Sequence, residues 1–237
     1  MALAFSGGTD SAYLLYEAIK NGADIRAYYV KSAFQPQFEL DDAKRMASLL
    51  HAELTVIKAD ILAEEKVAEN PTNRCYYCKK HIFSAIAKRA DADGYSLLID
   101  GTNASDDPDS RPGMRAVKEL SVRSPLMECG ITKSQVRRAS KDAQLFTWDK
   151  PAYSCLATRI PAGEAITKEK LFNVELAENY LFSLGFSNFR VRTSQNSAKI
   201  QIPESQFELL MAKRNAVTTE LKKHFSSILL DLEARDE

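Results

Sequence analysis

The chain has 237 residues, of which 45% are hydrophobic and 27% charged, and its 32 basic side chains are balanced by 32 acidic ones. This composition is typical of a globular protein with one large domain or two modest ones. The zero net charge argues against a nucleic-acid partner, and no apolar run approaches the ~20 residues that span a bilayer. We therefore expect a cytoplasmic protein whose four cysteines are ligands, nucleophiles or core residues rather than disulfides.

The chain opens on a predicted strand, a tight turn and a helix. Two glycines in the turn let the backbone approach a polyanion, and the free amides of the following helix point at it. The hydroxyls in the turn add donors, and Asp10 suits Mg²⁺. We predict a pyrophosphate site, with an ordinary helix-capping turn as the alternative. The turn consists of Ser6, Gly7, Gly8, Thr9, Asp10 and Ser11.

Strands and helices then alternate as far as residue 150. The pattern predicts strands at 24–30, 53–58 and 95–100 and helices at 39–51, 79–90 and 133–141. Such alternation indicates right-handed crossovers and a parallel sheet. Because ligands bind at the carboxyl ends of parallel strands, residues 6–11 and 101–106 are expected to share one crevice.

The regular alternation of strands and helices ends at Pro151. The sequence there predicts a helix at 168–184, strands at 189–192, 198–202 and 227–232, and helical segments between 204 and 224. We therefore expect a nucleotide domain at 1–150 and a smaller α+β domain, for substrate binding or oligomerisation, at 151–237.

Two cysteines form a C-x-x-C motif before the predicted helix at 79–90. Cys75 and Cys78 suit a zinc knuckle, a redox pair or an iron–sulfur site, and a helix N-terminus favours thiolate. Cys155 is the predicted nucleophile or third ligand, because the nearby Arg159 guanidinium lowers a thiol pKa. The alternative for Cys155 is that it packs in the core as a small hydrophobic residue. For Cys129, packing in the core is the preferred interpretation.

Several motifs together resemble one known family. The SGGTDS turn at 6–11 resembles the PP-loop of ATP pyrophosphatases. The segments at 73–79, 100–113, 124–126 and 155–159 extend the resemblance to the LarE family, ATP-dependent sulfur transferases that make the nickel-pincer nucleotide cofactor of lactate racemase. The resemblance implies a PP-loop α/β fold, ATP and Mg²⁺ as cofactors, a pyridinium dicarboxylate mononucleotide as substrate, and a homo-oligomer, with hexamers expected.

The same resemblance bears on the source of sulfur. Some members have tryptophan and serine at the positions of Cys75 and Cys78, and these sacrifice the sulfur of a single cysteine. Similar three-cysteine members hold a 4Fe-4S cluster in which one iron is free to carry an extra sulfide. The resemblance thus favours a cluster on Cys75, Cys78 and Cys155, supplied by sulfide or another sulfur donor. The alternative is sacrifice of Cys155.

Further site residues complete the sequence-based hypothesis. Asp106 is a second candidate for Mg²⁺ or a turn cap, and Arg111 either neutralises a phosphate or is a solvated loop cation. Arg190 and Arg192 are two residues apart on a strand and so face the same side. The resemblance implies that both bind substrate, the alternative being a salt-bridged exposed face. Glu178 also lies in a family motif, and a helix-surface glutamate is its alternative.

Three other functions remain open at this stage. A PP-loop tRNA thiolase shares ATP activation and three cysteines but needs a basic surface. An amide-forming PP-loop enzyme leaves the cysteines without a role. A non-catalytic nucleotide-binding protein would use the three cysteines to hold zinc.

Overall fold

The computed structural model describes residues 1–107 and 112–235, which form two compact units. The first unit comprises residues 1–67 and 72–150, and the second comprises residues 68–71 and the chain from Pro151 onward. The predicted fold class, a parallel α/β sheet followed by a smaller α+β part, is confirmed. In the described part of the chain, no helix is both long and apolar enough to cross a membrane.

The first unit is built on a four-stranded parallel sheet in the order β3-β2-β1-β4. The central strand β1 pairs Leu3 with Ala27 on one side and with Ile99 on the other. Parallel neighbours require crossover connections, and helices between the strands provide them. The strands are β1 Ala2–Ala4, β2 Arg26–Lys31, β3 Leu54–Lys58 and β4 Leu98–Asp100.

Helices cover both faces of this sheet. Tyr28 and Tyr29 are adjacent in β2 and belong to different apolar clusters, because successive strand residues point to opposite faces. Tyr29 packs in a cluster with Leu15 and Met46, and Tyr28 in a cluster with Phe83. The helices are α1 Thr9–Lys20, α2 Gln37–Leu49, α3 Glu65–Ala68, α4 Arg74–Ala92, α5 Pro112–Glu119, α6 Pro125–Glu128 and α7 Lys133–Asp142.

Helix α4 differs from the prediction in a way that matters for the cysteines. It begins at Arg74, five residues before the predicted start at 79. The buried Tyr76 is the reason, since it extends the apolar stripe of Phe83, Ile86 and Ala90 by two further turns. The C-x-x-C motif therefore lies within the first turns of α4 rather than before the helix.

The second unit has a three-stranded sheet in the order β5-β6-β7. Strands β5 and β6 form an antiparallel hairpin, and β7 pairs with β6 in parallel. Residues 68–71 belong here because the Asn70 side-chain amide donates to the carbonyls of Pro161 and Glu164, at 2.7 and 3.1 Å. The elements are α8 Lys168–Ser183, β5 Arg190–Ser194, β6 Ser197–Gln201, α9 Phe207–Leu221 and β7 Ser227–Leu230.

Candidate active site

The turn between β1 and α1 has the geometry of an anion site. Gly7 has φ +71°, and a Cβ added there would lie 2.9 Å from the Cβ of Ala43, so only glycine fits. Gly8 is the N-cap of α1 and provides no side-chain cap for the helix. The first backbone N–H groups of α1 are therefore left for a ligand, and the helix dipole favours a negative one.

The hydroxyls of the turn divide into structural and exposed groups. The Oγ atoms of Ser6 and Ser11 lie 3.0 Å apart, and the buried Ser11 also donates to the carbonyl of Gly8 at 3.2 Å. The buried Thr9 hydroxyl donates to the carbonyl of Thr147 at 2.7 Å. Thr9 and Ser11 thus hold the turn in shape, whereas the exposed Ser6 presents its hydroxyl at the surface of the turn.

Asp10 forms a close ion pair that the sequence analysis did not identify. Its Oδ2 lies 2.6 Å from the Nζ of Lys133, the first residue of α7. Its Oδ1 is buried and has no hydrogen-bond partner among the described residues. An orphaned carboxylate oxygen is a ligand of the kind that Mg²⁺ takes, so Asp10 fits the predicted metal contact. Lys133 places a cation at the same point, where phosphate oxygens are expected.

The loop after β4 passes directly over the start of α1. A Cβ on Gly101 would lie 2.8 Å from the backbone nitrogen of Ser11, so this position also requires glycine. Asp106 accepts the N–H of Asn103 at 3.1 Å, which is the turn-capping contact proposed as its alternative. Arg111, the predicted phosphate-binding residue, lies outside the described residues.

The C-x-x-C cysteines lie three residues apart in α4, with Cys75 exposed and Cys78 half-buried. Residues at this spacing share a helix face, with about 5–6 Å between Cβ atoms, which suits two ligands of one metal group. Arg74 brings its Nη2 to 4.0 Å from the Cys75 sulfur. Across the described residues, no three or more His, Cys, Asp or Glu side chains are grouped to hold a metal ion. The spacing of the pair is compatible with two ligands of one metal group, and the cluster on Cys75, Cys78 and Cys155 stays a prediction.

Cys129 does not occupy the core position that was predicted for it. It is exposed, because it is the C-cap of the short helix α6 and directly precedes the turn at Gly130. The apolar run before it is buried through Leu126 instead.

The loop that carries Cys155 in the second unit is fixed by a buried ion pair. Arg159 is 1% exposed and donates through Nε and Nη2 to the two carboxylate oxygens of Glu178, at 2.8 and 3.0 Å. Its Nη1 donates to the carbonyl of Ser154 at 2.8 Å. Burial lowers the pKa of Arg159, but the hydrogen bond and charge of Glu178 more than offset this and leave the pKa raised. The guanidinium beside Cys155 is therefore a charged anchor of its loop.

Glu178 is buried inside the second unit, so the alternative prediction for it, a glutamate on the surface of a helix, is wrong. It is 1% exposed. Besides Arg159, it accepts the hydroxyl of Tyr153 and the N–H of Val191. The carboxylate orients three parts of the unit at once: the Cys155 loop, Tyr153 and strand β5.

Arg190 and Arg192 do not form the salt-bridged exposed face that was the alternative for them. Arg190 is 6% exposed, and among the described residues neither arginine has a carboxylate in ion-pair contact. Arg190 donates to the carbonyls of Phe189 and Ala152, at 2.7 and 2.6 Å. Arg192 donates to the carbonyl of Thr158 at 2.6 Å.

The two arginines are held at an electrostatic cost. Burial, followed by repulsion from Arg159 and Arg235, lowers the pKa of Arg190 to about 10. The same causes lower the pKa of Arg192. Attraction to Glu178 offsets part of this cost. A buried cation is stabilised further when an anion binds it, so these arginines are candidates for an anion-binding site in the second unit.

Comparison with known proteins identifies relatives of this chain. No protein-family model matches the chain. An uncharacterized protein of Synechocystis sp. is 41% identical over 210 residues, which cover 87% of this chain and 77% of that protein. The pyridinium-3,5-bisthiocarboxylic acid mononucleotide synthase of Lactiplantibacillus plantarum is 32% identical over 235 residues, covering 98% and 85% of the two chains. The chain belongs to the LarE family.

As a LarE family member, the protein is an ATP-dependent sulfurtransferase, and its first unit has the PP-loop fold. A more distant relative is the tRNA-specific 2-thiouridylase MnmA of Frankia alni, 27% identical over 185 residues, which cover 62% of this chain and 52% of that protein. Two contacts of the candidate site residues, one in each unit, were not predicted from the sequence. Thr132 and Gln135 form a capping box, so the start of α7 can be recognised in the sequence. No sequence pattern near Lys133, however, predicts its contact with Asp10. Likewise, no pattern in the segment around Tyr153 predicts the hydrogen bond from its hydroxyl to Glu178.

Proposed function

We propose that this protein adenylylates a carboxylate of pyridinium-3,5-dicarboxylate mononucleotide with ATP and converts it to a thiocarboxylate, for synthesis of the nickel-pincer nucleotide. The observation that carries the proposal is Arg190, a buried guanidinium with no carboxylate partner among the described residues, because a substrate phosphate or carboxylate supplies the missing charge. The relationship to the Lactiplantibacillus plantarum synthase supports this choice of substrate.

Activation of the carboxylate takes place at the glycine turn. A substrate carboxylate oxygen attacks the α-phosphorus of ATP, the bond from that phosphorus to the bridging oxygen breaks, and pyrophosphate leaves. The amides at the start of α1 and the ammonium of Lys133 receive the charge of the departing pyrophosphate. Asp10 would hold Mg²⁺ through its orphaned Oδ1, and the metal supplies charge neutralisation on the phosphates.

Sulfur then replaces the activated oxygen. Hydrosulfide attacks the acyl carbon, the bond from that carbon to the AMP oxygen breaks, and a thiocarboxylate forms with release of AMP and one proton. Activation is needed because an unactivated carboxylate resists nucleophiles, whereas AMP is a good leaving group. We assign Cys75, Cys78 and Cys155 as ligands of a 4Fe-4S cluster, which when bound offers one iron, without a protein thiol, to hold the incoming sulfide.

The residues around Cys155 have a positioning role in this scheme. Arg159 fixes the carbonyl of Ser154, and the hydroxyl and N–H of Thr158 both donate to the carbonyl of Cys155, at 2.9 and 3.0 Å. The backbone that presents the thiol is therefore held on both sides. The neighbouring Arg159 charge also favours a thiolate at Cys155, which is what the sacrificial alternative needs.

The test uses anaerobically purified protein with the dicarboxylate mononucleotide, MgATP and sulfide. We expect formation of AMP and pyrophosphate and, by mass spectrometry, exchange of one substrate oxygen for sulfur. AMP formation without sulfur incorporation would contradict the proposal. A parallel reaction with unmodified tRNA in place of the mononucleotide separates this function from tRNA thiolation, and sulfur appearing in the tRNA would favour that second class.

A further inference from the structure

A cavity of about 520 Å³ lies in the first unit, beside α4, and has no role in the proposed function. Its volume falls within the range of small-molecule sites, roughly 300–1,000 Å³. Most of its wall is one polar stripe of α4, at residues 77, 80, 81, 84 and 88, and Glu64, directly before α3, completes the lining of this solvent-open pocket. The polar residues that surround it are Glu64, Tyr77, Lys80, His81, Ser84 and Lys88.

The polar groups of this cavity are not used by the protein itself. Among the described residues, the side chains of Glu64, His81, Ser84 and Lys88 form no hydrogen bond or ion pair. The Nζ of Lys80 lies 5.8 Å from the centroid of the Tyr76 ring. Lys80, Ser84 and Lys88 are exposed to solvent, and Glu64 and His81 are half-buried, so all five groups are accessible to a ligand in the pocket.

The arrangement of charges defines the ligand. Lys80 and Lys88 are eight residues apart in α4, which is about 12 Å along the helix axis, so two separate carboxylates match them better than one. A molecule with an anionic group at each end can form an ion pair with both lysines. Glu64 is half-buried and repels a pure polyanion, so the ligand must also bring a cation.

We propose that this cavity binds a peptide-sized zwitterion with two carboxylates and one ammonium group. In the site, Lys80 and Lys88 each take a carboxylate, Glu64 takes the ammonium, and His81 and Ser84 contact the middle of the molecule. Cys78 lies next to Tyr77 in sequence and one helical turn before His81, so a bound tripeptide would lie alongside the C-x-x-C pair. Reduced glutathione has these charges at this length and is the probe.

Proton NMR of the histidines tests the proposal directly, because the chain has only three of them: His51, His81 and His224. Titration with reduced glutathione is expected to shift the His81 ring signals with saturation, while the other two serve as internal controls. Lys88→Met is expected to weaken binding about fivefold, the scale of one exposed ion pair. Lys118→Met, an exposed lysine of α5 outside the cavity, is the matched control and leaves the affinity unchanged.

Comparison ligands make the assignment falsifiable. Glycylglycine, with one carboxylate, is expected to bind more weakly than glutathione, and inorganic pyrophosphate, with no cation, is expected not to shift His81. The proposal is overturned if His81 does not respond, if all three histidines respond alike, if Lys88→Met binds as well as the wild type, or if pyrophosphate binds more tightly than glutathione. The readout is binding alone, so its failure and that of the proposed function are separate results.

Discussion

Replacing Arg190 by methionine separates a ligand-binding arginine from a structural one. The pKa of Arg190 is lowered to about 10, chiefly by burial, which corresponds to about 3 kcal/mol of unfavourable interaction of the charged form. Methionine removes this penalty and fills the space, but the carbonyls of Phe189 and Ala152 lose their charged donor, at about 1.5–3 kcal/mol each. Because these contributions oppose one another, we expect the free energy of unfolding to fall by no more than about 3 kcal/mol.

The affinity for the mononucleotide is expected to fall even if the net change in stability is small. Loss of one charge-assisted contact, at about 1.5–3 kcal/mol, lowers binding of pyridinium-3,5-dicarboxylate mononucleotide by about 10- to 100-fold. Isothermal titration calorimetry measures the affinity and urea denaturation the stability. Arg214→Met is the control in the same unit, because Arg214 is exposed on α9. An unchanged affinity together with a loss of several kcal/mol of stability would refute the assignment and make Arg190 a structural residue.

Three further variants test the remaining contacts. Arg159→Met leaves Glu178 buried and uncompensated, so the free energy of unfolding in urea should fall by about 3–5 kcal/mol, and a loss below about 1 kcal/mol would contradict the buried pair. Asp10→Asn keeps the size but removes the metal-binding charge, and the Mg²⁺ concentration for half-maximal pyrophosphate release should rise about tenfold or more; an unchanged requirement would remove Asp10 from the metal site. Gly7→Ala places a methyl group against Ala43 at positive φ, so ATP affinity should fall, with stability lower by about 1 kcal/mol or more, and normal ATP binding would argue against a tightly fitted turn.

The sheet of the first unit could be predicted because the sequence signals for each strand and for the helix that follows it are local. Each strand is a short apolar run followed by a helix, and that alternation alone requires parallel pairing. Element boundaries were less accurate, since packing sets them. Strand β4 is confined to Leu98–Asp100 instead of 95–100, and α4 begins at Arg74 because Tyr76 is buried.

The site was predictable only where it is continuous in sequence. The SGGTDS turn combines its glycines, helix start and carboxylate within six residues, and the sequence was sufficient to predict the turn and the start of α1. That the turn binds pyrophosphate stays a prediction. The pairing of Asp10 with Lys133 spans 123 residues, and that of Arg159 with Glu178 spans 19, so no periodicity or motif predicts either contact. For the same reason, the sequence identified Glu178 as a site residue through a family resemblance but not as the buried partner of Arg159.

The source of the transferred sulfur is tested most directly by mass spectrometry of the protein after turnover. Anaerobic enzyme is incubated with the mononucleotide, MgATP and sulfide, and product is counted per polypeptide while the peptide containing Cys155 is weighed. We predict several products per chain and an intact Cys155. One product per chain, with loss of the mass of H₂S from the Cys155 peptide, would contradict sulfur delivery through the three thiols and establish sacrifice of Cys155.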